Sequence, residues 1–246
     1  MSYDIEGRET KIVLDFVNNP NFKGFHLMGV PIPKNCFINE DLFVCNIIDE
    51  AHYHPFIINI KSNEFKIDSK NTLILDVYQN SVLGVKSNFL NSQVLVRGQV
   101  NSSTLQAEFK DLTSPVNPTL ENIIYEENDH YPENSDMKFG SIFVGPKSEK
   151  APLIVWPHGG PHSVIPNSFS SDIFYFLDQG FACLLINYRG SISYGQENID
   201  SLLGKVGDND VKDCFQVMQC IIKIIFIIYY LGSQDFWSFI AALINS

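Results

Sequence analysis

Between Lys11 and about residue 125, apolar positions come in short runs, continuous or alternating, split by turn-forming residues: 41–49 (DLFVCNIID), 54–60 (HPFIINI), 72–78 (TLILDVY) and 92–100 (SQVLVRGQV). Runs of this length and period predict strands, and nothing between them has a convincing helical period. Serial short strands suit a sandwich, a barrel or part of a propeller, and at roughly 40–50 residues per blade about two or three blades fit. No repeat is visible at the level of sequence. A stretch at 126–136 then holds five acids and a proline, the composition of a linker, and predicts a domain boundary there.

Past the boundary the texture changes. The pattern predicts strands at 139–144 and 153–156, a helix at about 168–179 closed by Gly180, and a buried-type strand at 181–187. A further helix starts near Asp208 or Asn209 and carries Val211, Cys214, Phe215, Val217, Met218, Ile221 and Ile222 at helical spacing. Strands alternating with helices predict a parallel, doubly wound sheet. From Cys220 to Ser246 the chain is dominated by Ile, Phe and Tyr. Its uninterrupted apolar run is shorter than the ~20 residues of a membrane span, and residues 232–235 (GSQD) break any longer one.

Composition adds limits. With 45% hydrophobic and 13% aromatic residues in 246, the chain can bury a proper core. A net charge of −11 argues against nucleic acid or an anionic membrane as partner, because both would repel it. Five widely spaced cysteines without a C-x-x-C suggest neither a disulfide framework nor a zinc site, which favours a reducing, cytoplasmic setting. The N-terminus has no apolar secretory core.

Candidate chemistry sits in three places. The strand LIVW runs into Pro157-His158-Gly159-Gly160-Pro161-His162. Strand, H-G-G loop, then helix is the order in which one half of an oxyanion hole is built, with glycines admitting a backbone N–H to the developing oxyanion. The bland alternative is a tight turn. A metal site at His158 and His162 fits poorly, since Gly159, Gly160 and Pro161 preclude the helix that would pair them. No phosphate-binding glycine motif occurs and no cofactor is implied. The second place is NYRGSISYG at 187–195, where Arg189 orients a substrate, braces the catalytic loop or forms a structural ion pair. The third, GKVGDNDVKD at 204–213, reads as a loop and helix cap.

Taken in order, PLIVWPHGGPHS, GFACLLINYRGSISYGQ and GKVGDNDVKD resemble the N-terminal half of the catalytic domain of acylaminoacyl-peptidases, serine peptidases of the prolyl oligopeptidase family. The resemblance is close over 152–219 and weaker but collinear back to about Asp41. It implies last blades of a β-propeller at 1–125, an acidic linker at 126–138, the N-terminal half of an α/β-hydrolase domain at 139–219, and a divergent apolar tail at 220–246. It further implies an acylated peptide as substrate, a homo-oligomer as the state of the whole enzyme, and an oxyanion donor at Gly160, with His158, Gly159, Pro161 and Arg189 on the surrounding loops.

The match decays after Gln219. Ser233 falls about where the family's G-x-S-x-G nucleophile elbow belongs, but the glycine positions hold Leu231 and Asp235, whose side chains would clash in that turn. No histidine follows His162, so Ser233 has no base placed to activate it. The expectation is a fragment of a serine exopeptidase, inactive as it stands. The alternatives are a non-catalytic interaction or decoy product and a carboxylesterase-like hydrolase.

Overall fold

The computed structural model describes residues 30–116, 122–133, 135–147 and 151–222, with the backbone of three short strands, β1 (Ser2–Tyr3), β2 (Thr10–Lys11) and β14 (Ile228–Tyr230). The chain divides into two units, Met1–Val116 and Asn117–Ser246.

In the first unit β1 pairs with β2. The strands β3 (Leu42–Asp49), β4 (His52–Asn59) and β5 (Glu64–Ile67) form an antiparallel sheet in that order. A second antiparallel sheet runs β6 (Thr72–Tyr78), β7 (Ser81–Asn88), β8 (Asn91–Asn101) and β9 (Gln106–Asp111). Leu42, Val44 and Ile57 from the first sheet join Ile74, Val77, Val82 and Val100 from the second in one cluster. The β3–β5 sheet is also buried on its other face, by Cys45, Ile47, Phe56 and Ile58, which is why its strands read as continuous apolar runs. In β8 the burial alternates instead. Val94, Val96 and Val100 are buried while Leu95 faces solvent at 38% exposure, the signature of a sheet wetted on one side.

The second unit is built on one five-stranded sheet, of order β10-β11-β13-β12-β14, from β10 (Ile123–His130), β11 (Phe139–Pro146), β12 (Leu153–Pro157), β13 (Ala182–Asn187) and β14. It is mixed, not wholly parallel as the alternation of strands and helices suggests. β10, β11 and β13 pair antiparallel, whereas β13, β12 and β14 run parallel. The linker expected at 126–138 is corrected as well: residues 126–130 lie in β10, in register with β11. Glu126, Glu127 and Asp129 on this edge strand are exposed, and charge on an edge discourages further pairing.

Among the described residues the helices are α1 (Ser171–Asp178), between β12 and β13, and α2 (Gln196–Asp200) and α3 (Asn209–Ile222), after β13. Ser170 caps α1 by accepting from the Ile173 N–H, and Gly180, at φ +82°, lets the chain leave it. The periodic positions Cys214, Val217 and Met218 of α3 pack with Leu153, Val155, Ala182, Leu184 and Ile186 on one face of the sheet. Helix α1 takes the other face, where Phe176 meets Trp156 with ring centroids 6.3 Å apart. Because β12 and β13 are parallel, the loops that follow them emerge at the same edge, the usual place for a site in such sheets. Packing at that edge is close: a Cβ added at Gly140 would lie 2.2 Å from the Tyr194 hydroxyl oxygen.

Candidate active site

The loop after β12 carries His158, Gly159, Gly160, Pro161 and His162, and the loop after β13 carries Tyr188, Arg189, Gly190, Ser191, Ile192 and Ser193. The structure ties the two together. The Tyr188 hydroxyl donates to the His158 carbonyl at 2.9 Å, and the two rings stack with centroids 4.4 Å apart and an interplanar angle of 23°. His158 Nε2 lies 2.7 Å from Ser191 Oγ, and that hydroxyl sits 2.6 Å from the Tyr188 carbonyl oxygen. A carbonyl only accepts, so the Ser191 proton is spent on it. Ser191 Oγ then accepts from His158, which fixes the Nε2–H tautomer. Further along, His162 Nδ1 donates to the Gly190 carbonyl at 3.0 Å and the Ile192 N–H donates to the Ser163 carbonyl at 3.0 Å. Asn187, buried at the end of β13, closes the set by bonding both the N–H (2.7 Å) and the carbonyl (3.1 Å) of Ile165.

Burial lowers the pKa of the His158 imidazole to about 4, outweighing the favourable influence of the Gly159 and Gly160 backbone. The ring is therefore neutral at pH 7, and among the described residues its buried Nδ1 has no hydrogen-bond partner. It is suited to holding a loop, not to moving protons. Gly160 has φ +67°, and among the described residues a Cβ at either Gly159 or Gly160 would meet nothing within 4 Å. The turn thus presents backbone toward open space, as a donor to an oxyanion must. Both glycines are exposed while their flanks are held.

Arg189 resolves as an ion pair. Its guanidinium meets Asp213 on α3 at 2.8 Å through a terminal nitrogen and through Nε at 2.9 and 3.0 Å, while its own backbone N–H donates to the same carboxylate at 2.8 Å. Asp213 is 1% exposed. Burial pushes its carboxyl up, against the pull of Arg189. Gly190 is held by Asn198, whose Oδ1 accepts from its N–H at 2.7 Å, and it must be glycine: at φ +100°, a Cβ would come within 2.2 Å of Leu202. Ser193, buried with φ +74°, is a non-glycine residue in the left-handed region, where a side chain costs on the order of 1–2 kcal/mol.

The structure thus brings His158, Gly159, Gly160, Pro161 and Arg189 to one rim, and adds Asn187, Tyr188, Ser191 and Asp213, which lie within the sequence motifs without a role assigned to them, and Asn198, which lies outside them. Ser233 lies outside the described residues. A cavity of about 990 Å³ between residues 131–133 and α3 touches this rim only through Arg189 and Asp213 and does not reach the glycine turn. Among the described residues no group of three His, Cys, Asp or Glu could hold a metal ion, and no helix is long and apolar enough to cross a membrane.

Comparison with known proteins converges on one group. Residues 167–228 match the profile of the prolyl oligopeptidase family. The chain is 29% identical over 177 residues to acylamino-acid-releasing enzyme 1 of Oryza sativa subsp. japonica, an alignment of 65% of this chain and 22% of that enzyme. It is 41% identical over 99 residues to the acylamino-acid-releasing enzyme of Mus musculus, covering 38% of this chain and 13% of that one. The chain therefore spans about a fifth or less of the length of these relatives. Among solved structures, a puromycin-hydrolyzing peptidase of Mycobacterium tuberculosis superimposes with a TM-score of 0.65 at 16% identity, over 87% of this chain and 35% of that one.

Proposed function

We propose that this chain belongs to the prolyl oligopeptidase family and supplies the oxyanion side of a serine peptidase that releases N-acylated amino acids from blocked peptides. In this reading Gly160 donates its N–H to the oxyanion formed as the scissile amide is attacked, and His158, Gly159 and Pro161 shape the turn. The observation that carries it is the glycine turn itself, open on one side and stitched on the other to the loop after β13. The relatives named acylamino-acid-releasing enzymes are the motive for the substrate class. His158 is no candidate for the general base, because it is neutral, buried and spent on Ser191.

The same reading assigns the antiparallel sheets of the first unit to the last blades of a β-propeller. It assigns the five-stranded sheet with helices on both faces to the N-terminal half of an α/β-hydrolase domain. The free cysteines agree with a cytoplasmic setting. The test is Gly160→Val in a form of the protein that hydrolyses an acetylated aminoacyl anilide. A branched side chain at φ +67° shifts the donor, and displacement by about 1 Å costs on the order of a hundredfold in kcat, with KM little changed and the melting temperature retained. Normal turnover with only a changed KM would reduce Gly160 to a turn residue.

A further inference from the structure

We infer that Tyr188 and Ser191 are positioning residues for the glycine turn, acting through His158; the inference rests on the oxyanion reading of Gly160 and extends it to the groups that set the donor's place. Among the described residues nothing packs on Gly159 and Gly160 from the open side, since a Cβ at either would touch none of them within 4 Å. Such a span is only as fixed as its two ends. Apart from Asn187, which holds Ile165 further along, the ties described between those ends and the neighbouring loop come from five consecutive residues. Tyr188 holds the His158 carbonyl and stacks on its ring, and Ser191 accepts from His158 Nε2. Beyond the glycines, Gly190 accepts from His162 and Ile192 donates to Ser163.

The clamp is itself anchored. Asp213 grips the backbone N–H and side chain of Arg189, Asn198 grips the N–H of Gly190, and Leu202 packs where a Gly190 side chain would be. The pentapeptide 188–192 is therefore a rigid bracket, and the glycine turn hangs from it. Position, not charge, is what passes along this path: His158 stays neutral and gives up no proton. The two loop histidines are held in opposite tautomers, His158 with its proton on Nε2 and His162 with a proton on Nδ1, because one faces a spent hydroxyl and the other a carbonyl.

The test uses the 246-residue chain labelled with 15N at histidine and glycine. Long-range proton–nitrogen spectra report tautomer and titration for each ring, and backbone 15N relaxation reports the order of Gly159 and Gly160. Expected for the wild type are an Nε2–H tautomer at His158 that persists below pH 6, and order parameters at both glycines like those of the adjoining strand. Ser191→Ala abolishes the single tautomer and lowers the order parameters of the glycines. Tyr188→Phe, which keeps the ring stack and so the fold, lowers the glycine order parameters while leaving the tautomer in place. In a hydrolytically active form, Tyr188→Phe lowers kcat by roughly tenfold with KM nearly unchanged, a fraction of the loss expected for a donor displaced by a full ångström. An Nδ1–H tautomer at His158 in the wild type, or glycine order parameters unmoved by both substitutions, overturns the inference. If the spectra behave as stated but no acylated substrate is hydrolysed, the bracket stands and the peptidase reading falls.

Discussion

The two units bury their polar groups in different ways. In the first, the buried polar residues Asn46, His52, His54 and Thr72 support the sheets. Asn46, for instance, bonds the N–H and carbonyl of Ile74 at 2.6 and 2.8 Å and so joins β3 to β6. In the second, most of the buried polar residues, among them Asn187, Ser191, Ser193, Asn198, Asn209 and Asp213, lie between the end of β13 and the first turns of α3. They grip loop backbone, not sheet. Burying a polar group costs about 1–3 kcal/mol unless it is paired, and a sheet can be assembled from apolar contacts alone. A cluster of paired polar groups around two loops therefore marks loops whose shape has to be held.

That contrast can be broken most decisively at Asp213. Asp213→Ala strands the Arg189 guanidinium, 13% exposed, and should cost about 3–5 kcal/mol. Its counterpart in the first unit, Asn46→Leu, should cost about 2 kcal/mol for the three backbone groups of Pro31 and Ile74 that lose a partner. Urea unfolding followed by hydrogen exchange assigns each loss to its unit, and a larger penalty at Asn46 would undo the comparison.

Acid sharpens it next. His158 titrates near 4 in the folded chain against an ordinary 6.5, so the unfolded chain takes up the proton first as pH falls. Its contribution is intact above pH 6.5, declines between 6.5 and 4, and amounts to at most about 3 kcal/mol. His54 in the first unit and His130 in the second are shifted the same way by burial, so part of the slope is shared. His158→Asn should flatten the stability–pH curve between pH 6 and 4.5 more than His54→Asn does. The smallest effect belongs to the wet face of the second sheet in the first unit, where Leu83 and Leu95 are 40% and 38% exposed. Leu83→Ser with Leu95→Ser should alter stability by less than about 1 kcal/mol in total but reduce self-association measured by light scattering, since both feed one apolar stripe.

Where apolar spacing was strong, the sequence was enough: β3, β4, β6, β8 and β11 to β13 fall close to their expected runs, and α1 and α3 start within a few residues of theirs. β7 escaped because Gly84 interrupts it, packed so near the Leu73 carbonyl that a Cβ would sit 2.7 Å away. β10 escaped for the opposite reason, since an exposed edge strand needs no apolar alternation and its acids imitate a linker. The glycine turn and Arg189 were legible as motifs. Asp213, Asn198 and Ser191 were not, because their roles exist only across separations such as the 24 positions between Arg189 and Asp213. No local pattern encodes a bond of that reach.

The contact between Gly140 and Tyr194 binds two positions far apart in the chain into one heritable unit. With the tyrosine hydroxyl lying where a Cβ would project, neither residue is free to drift alone: any bulk gained at 140 has to be given back at 194. Across descendants of this gene the two sites should therefore change together or stay as they are. A population of sequences would carry that mark even where the rest of β11 had been rewritten.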